Sequence, residues 1–149
     1  MLARTILILV LACFQFGVSA QFQPEKIDIV RDKWGVPHIF GKTDPEVAYG
    51  LAWAHAEDDF ETIQQSLLAG KAMLARYKGK EGAQIDYIIH LLRIPELVEE
   101  KYESDLSPDF KRLLEGYCAG LNAYAAKHPK EVLLKKAFPV TPKDMIQYS

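Results

Sequence analysis

His55, Glu57, Asp58 and Asp59 fall within five consecutive positions of a 149-residue chain, dense enough for acid–base or metal chemistry. His55 and Asp59 stand at i and i+4, which puts both on one helix face and within reach of one ion. Two metal patterns are nonetheless incomplete. A zinc deaminase with His-x-Glu also needs a Pro-Cys-x-x-Cys partner, which is absent. A helical metalloprotease needs a second histidine where Asp59 stands. The plainer reading is an acidic helix junction, with Asp58 or Asp59 capping a following helix and His55 packing or hydrogen-bonding.

The other reactive side chains are isolated. His38 follows Pro37, and no nucleophile or orienting acid is identifiable beside it; it reads as a half-buried histidine with a satisfied ring. His90 and His128 show no partner spacing and read as surface residues. Cys118 lies one residue from an apolar helical stripe. A reactive thiol needs a polar, electropositive setting, so Cys118 reads as a small buried hydrophobe. Trp34, Tyr49, Trp53 and Phe60 could line an acyl pocket, with core packing the stronger reading. No Gly-x-Ser-x-Gly elbow exists. Ser66, Ser104, Ser107, Ser149, Thr43, Thr62, Thr141 and Cys118 all lack a preceding glycine, so no Gly-Ser, Gly-Thr or Gly-Cys junction can be cut to expose a nucleophile. No catalytic, cofactor-binding or metal residue is assigned in this sequence.

The elements that position these groups are a hairpin and a series of helices. Residues 26–32 alternate, with Ile27 and Ile29 inward and Asp28 and Val30 outward, as in a strand. Lys33-Trp34-Gly35 can turn, with Gly35 free to take positive φ. A second strand covers 36–40, where Pro37 lacks a donor and confines pairing to one side. A lone hairpin is marginal in water and needs a sheet to join, yet the sequence holds no other convincing strand. Thr43-Asp44-Pro45-Glu46 is a helix start. Val47, Gly50, Leu51 and Ala54 give the first helical pattern. Phe60, Ile63, Leu67 and Leu74 give the next, expected to stop near Gly79. Ile85, Ile88, Ile89 and Leu92 repeat the spacing, and Pro95 marks a break and restart. Ser107-Pro108-Asp109 caps a helix whose stripe is Phe110, Leu113, Leu114, Tyr117 and Leu121; His128-Pro129 ends it. Residues 139–144 cap one more helix, with so few residues after them that the sequence is expected to be truncated.

Composition narrows the partners. Arg4, an apolar run over 5–16 and Val18-Ser19-Ala20 predict a signal peptide cleaved after Ala20, leaving residues 21–149; lipid processing at Cys13 is the alternative. The apolar run is too short to span a membrane, so no membrane attachment is expected after cleavage. Losing Arg4 leaves 17 basic and 20 acidic residues, which argues against nucleic acid. Cys118 is then the sole cysteine, so no internal disulfide is available. Hydrophobic residues make up 49% of the chain, enough for a core.

Three segments together resemble the penicillin acylase family of N-terminal-nucleophile hydrolases. The first is Arg31-Asp32-Lys33-Trp34-Gly35-Val36-Pro37-His38-Ile39 with Gly50-Leu51-Ala52-Trp53-Ala54-His55-Ala56-Glu57-Asp58. The second is Leu114-Glu115-Gly116-Tyr117-Cys118-Ala119-Gly120-Leu121-Asn122-Ala123-Tyr124. The third is Phe138-Pro139-Val140-Thr141-Pro142-Lys143-Asp144-Met145. The family often has Gln at Glu57 and Arg at Asp59; an Arg there could pair with acids, and Asp59 departs from that.

The resemblance implies an α+β chain, an N-terminal β-hairpin followed mainly by α-helices, as a fragment of an αββα fold. Residues 21–149 would be a partial α-subunit of an exported, periplasmic or secreted amidase acting on penicillin-type or N-acyl homoserine lactone amides. Its partner would be a β-subunit from the same precursor or an adjacent gene. That subunit would hold the sheet and an N-terminal serine whose own α-amino group serves as base. The family's acyl-contacting residues and calcium-binding acid lie just past the last helix start, so none is assigned here. Gly116 and Gly120, four apart on one helix, would admit another backbone. The alternative reading is a non-catalytic exported helical protein that binds a partner through its hairpin edge.

Overall fold

The computed structural model describes residues 23–148. The expected cleavage after Ala20 and the alternative at Cys13 lie outside the described residues. The architecture is α+β, as expected: one antiparallel hairpin and six α-helices among the described residues. A 3₁₀ turn at Pro24–Lys26 leads into β1 (Asp28–Arg31), which pairs with β2 (Pro37–Phe40) in the register Ile29 opposite Ile39 and Arg31 opposite Pro37. Gly35 closes the turn at φ 84°, donating to the Asp32 carbonyl. Ile27, Ile29 and Ile39 lie over Gly50 of the first helix, and Asp28 and Val30 face solvent.

Helix α1 (Asp44–Gly70) starts on a capping box: the Glu46 N–H donates to the Thr43 hydroxyl, and the Thr43 N–H donates to the Glu46 carboxylate. It is broken at Asp59 (φ −157°, ψ 72°), whose carboxylate accepts from the Thr62 N–H at 3.1 Å and caps the second segment. The junction expected from sequence is therefore real, and Asp59 is its cap.

That segment ends at Gly70, earlier than the expected Gly79. Ala72 turns left-handed (φ 50°), and the Met73 N–H closes back onto the Leu68 carbonyl at 2.7 Å, a helix-ending pattern that glycine usually serves. Leu74 instead opens α2 (Ala75–Lys78). Next comes α3 (Lys80–Leu91), whose Asp86 carboxylate accepts from the Leu74 and Ala75 N–H groups at 2.8 and 2.9 Å. Arg93, left-handed at φ 55°, and Pro95 start α4 (Ile94–Asp105). Ser107 caps α5 (Pro108–Lys127), and α6 (Pro142–Tyr148) comes after a short 3₁₀ turn.

The core lies where α1 crosses α5, with α4 and α6 against it. Ala52, Ala56, Phe60 and Leu67 meet Leu114, Cys118, Leu121, Tyr124 and Ala125, joined by Val98, Tyr102, Val140 and Met145. Two stripes differ from expectation. On α5 the buried line runs through Leu114, Cys118, Leu121 and Ala125, leaving Phe110 42% exposed. On α3 the helix forms, but Ile85, Ile88 and Leu92 point outward with Tyr87 and Leu91. No helix among the described residues is long and apolar enough to cross a membrane.

Candidate functional site

The polar cluster on α1 opens onto a cleft beneath β1. Strand alternation puts Ile27, Ile29 and Arg31 on the hairpin's inner face, while Tyr49, Trp53 and Glu57, at i, i+4 and i+8, form one stripe of α1. With Pro24 these residues enclose an open cleft of ≈ 530 Å³.

Arg31 fixes its polar end. Its guanidinium lies 2.8 Å from Asp58 and 3.2 Å from Glu57, and also donates to the Gly35 carbonyl at 2.8 Å. Glu57 accepts in turn from the Trp53 indole N–H at 2.9 Å. The Asp58 and Glu57 hydrogen bonds hold the Arg31 pKa above its ordinary value, so it is a permanent cation. The acids beside Asp59 thus take their counter-charge from the hairpin.

His55 and Asp59 do not converge. His55 Nδ1 lies 3.2 Å from the Tyr117 hydroxyl. Hydrogen bonds from the Thr62 hydroxyl and N–H hold the Asp59 carboxyl below its usual range. Among the described residues no three His, Cys, Asp or Glu side chains are grouped to hold a metal ion.

His38 has an acid that the sequence did not reveal. Its Nε2 lies 3.6 Å from Asp32 across the turn. The Trp34 and Val36 N–H groups also donate to Asp32 and, with His38, keep its carboxyl below the ordinary range. These bonds favour the folded turn above the ordinary carboxylate pKa, and that contribution fades as pH falls through the lowered value. The pair is at the hairpin tip and His38 is exposed, not half-buried.

The four aromatic candidates separate. Tyr49 and Trp53 line the cleft, Phe60 is core, and Trp34 is 78% exposed with Lys33 above its ring. His90 is not buried. His128 is half-buried, stacked on Tyr124 at 4.2 Å between ring centroids and paired with Glu131 at 3.0 Å. Its partners come from the preceding turn of α5 and from the loop that folds back onto it.

Cys118 is 3% exposed, and burial pushes its pKa up to about 12. A thiol reagent at pH 8 should leave it unmodified in the native protein and label it fully in denaturant; rapid native labelling would contradict the buried reading. Burial favours the neutral thiol, so this contribution to stability is complete below the unfolded pKa and is lost as pH rises from there through about 12.

Two polar side chains that sequence reasoning missed tie the C-terminal loop to the core. Gln64 is fully buried; it donates to the Phe60 and Glu131 carbonyls and accepts from the Leu133 N–H at 2.8 Å. Asn122 grips Val140, donating to its carbonyl at 2.9 Å and accepting from its N–H at 2.7 Å. The available signal was an amide at a position that helical spacing assigns to the core. The expected close approach at Gly116 and Gly120 is present, with the Pro45 and Tyr49 carbonyls against them.

Comparison with known proteins places this arrangement. The family model described as penicillin amidase matches residues 26–148. Penicillin G acylase of Escherichia coli is 29% identical over 129 residues, covering 83% of this chain and 15% of that protein. Penicillin acylase 2 proenzyme of Pseudomonas sp. (strain SE83) is 30% identical over 102 residues, covering 67% and 13%. An acyl-homoserine lactone acylase of Pseudomonas savastanoi pv. phaseolicola is 26% identical over 113 residues, covering 70% and 14%. The fold matches a thermostable penicillin G acylase from Alcaligenes faecalis with a TM-score of 0.67 at 22% identity, over 82% of this chain and 69% of that one. The chain spans about 15% of the length of the curated relatives it matches.

Proposed function

Because the chain belongs to the penicillin amidase family, we propose that it is the N-terminal part of the α-subunit of an exported amidase that hydrolyses linear acyl amides. The observation that carries this reading is the family match over residues 26–148, which takes in the hairpin, the α1–α5 core and the last helix start. The nucleophile is assigned to the N-terminal serine of a β-subunit from the same precursor or an adjacent gene. That residue's α-amino group takes the proton, and backbone N–H groups hold the oxyanion.

This chain's own part is positional. The α1–α5 contact fixes the frame, and Arg31 pins the hairpin to α1. The amide cleaved is assigned to a penicillin or to an acyl-homoserine lactone, the two substrates in the relatives' names. Export places the enzyme in the periplasm or outside the cell.

Among the described residues no cluster of acids fits a calcium ion. Asp144, the acid of the last helix start, already binds Lys71 Nζ through one oxygen and Thr141 through the other. We therefore assign any calcium of the complete enzyme to acids other than Asp144.

The test is expression of this coding sequence together with its downstream reading frame, and assay of the purified product on a phenylacetyl amide and on N-acyl homoserine lactones of several chain lengths. Release of amine from one class is expected, together with its loss when the β-subunit's first serine is changed to alanine. A correctly processed, folded product inert towards both classes would overturn the reading.

A further inference from the structure

Helix α3 carries an apolar face that no described residue covers. Ile85, Tyr87, Ile88, Leu91 and Leu92 are each between 42% and 65% exposed. At 3.6 residues per turn they share one continuous arc of roughly 160°. The arc cannot roll inward. A Cβ at Gly82 would lie 2.5 Å from the Leu74 carbonyl carbon, so the opposite side of α3 is seated against backbone. Asp86, on that same side, accepts from the Leu74 and Ala75 N–H groups at 2.8 and 2.9 Å, and Ile89 beside it is half-buried. A contiguous apolar patch of this kind marks a contact site.

The chain on either side of the patch is basic. Arg76 and Lys78 of α2, Lys80 at the start of α3 and Arg93 just past its end are exposed. None of the four pairs with an acid among the described residues. The acids of this stretch are Glu81, Asp86 and Glu96, of which Asp86 is turned inward. Outward cations therefore exceed outward acids here, in a chain of 18 basic and 20 acidic residues overall.

We propose that the exposed face of α3 seats the protein on an anionic lipid surface, with Ile88, Leu91 and Leu92 in the acyl boundary and Lys78, Lys80 and Arg93 at the phosphates. An apolar helix face flanked by cations is the chemistry of a helix lying in the plane of such a surface. Tyr87 suits that depth, with its ring among acyl chains and its hydroxyl at the headgroups. The lysines can lay their stems along the apolar layer and keep their ammonium groups outside it. A second copy docked on this face would bring the same cations to the same rim, and like charges oppose that contact. No helix among the described residues can span a bilayer, and a helix lying in the interface needs no span. The contact goes beyond the amidase reading and stands or falls apart from it.

The test is co-sedimentation of the processed full-length product with vesicles of phosphatidylcholine alone and of phosphatidylcholine mixed with phosphatidylglycerol, at low and high salt. Binding to the mixed vesicles is expected, weakening as salt rises, with little on the neutral ones. Lys78→Gln with Lys80→Gln is expected to lower the partition roughly 25-fold, at about fivefold per cation. Leu91→Glu should lower it by at least about tenfold. Amide hydrolysis in solution is expected to be unchanged in both variants, and circular dichroism checks that both are folded. No binding to the mixed vesicles overturns the proposal, as does wild-type partition in the variants. A product that is dimeric in solution, becomes monomeric on Leu91→Glu and ignores vesicles assigns the face to a second copy and overturns it too. Should Leu91→Glu fail to fold, the lysine pair decides alone. Vesicle binding by a product inert towards amides upholds the surface contact and removes only the catalytic reading.

Discussion

Changing Gly116 and Gly120 together to alanine is expected to leave the protein unable to fold to a stable state. An alanine in mid-helix normally gains up to ~1 kcal/mol over glycine, so on α5 alone the substitution should help. The packing reverses the sign. A Cβ at Gly116 would lie 2.1 Å from the Pro45 carbonyl oxygen, and one at Gly120 would lie 2.2 Å from that of Tyr49. Both obstacles are backbone of α1, so no side chain can rotate away; the two helices would have to separate along the core. Overpacking of this kind costs about 1–3 kcal/mol or more per site. Two sites on one interface would then remove a large share of the ~5–15 kcal/mol that holds a typical domain. Each single variant is expected to melt roughly 10 °C lower, and the double variant to lose its cooperative transition. Thermal melts followed by circular dichroism check this, and an unchanged or raised midpoint in the single variants would show that helix propensity outweighs the contact.

Replacing Lys71 by methionine is expected to cost about 2–3 kcal/mol. Lys71 Nζ sits 2.9 Å from Asp144, with the side chains only 18% and 12% exposed. Removing one member of a buried pair strands the other charge, at ~3–5 kcal/mol when burial is complete. The figure here is smaller because the Thr141 N–H and hydroxyl still donate to the second Asp144 oxygen at 2.8 Å each. The methionine stem keeps most of the lysine's apolar packing, so the loss is electrostatic. Adding Asp144→Asn should recover most of it, because the amide carbonyl still serves Thr141 and no charge is left behind. Denaturant melts of the four proteins in this cycle measure the coupling; simple additivity of the two single losses would refute it.

The parts of the fold that could be read from sequence are those whose cause lies within a few residues. Thr43 and Glu46 cap α1, Ser107 caps α5 and Gly35 turns the hairpin, each through bonds spanning three or four positions. The acidic junction was legible for the same reason: Asp59 needs only Thr62 to break one helix and start the next. Leu74 was misplaced within a longer helix because its period fits. The left-handed Ala72 and the Asp86 carboxylate, twelve residues away, decide otherwise.

Sequence by itself determined the hairpin, the helix starts, the lack of a Gly-Ser, Gly-Thr or Gly-Cys junction and the kinship of the chain, because short-range capping, residue spacing and residue identity carry that information. Only the tertiary structure decided what the dense polar cluster does. His55 and Asp59 look poised to share an ion, yet the kink at Asp59 commits it to a backbone cap, while Tyr117 engages His55 from another helix. Glu57 and Asp58 look like spare acids, yet Arg31, 26 and 27 residues away, pairs with both. The outward face of α3 has the same periodicity as a buried one, since spacing fixes which residues share a face but not what that face meets.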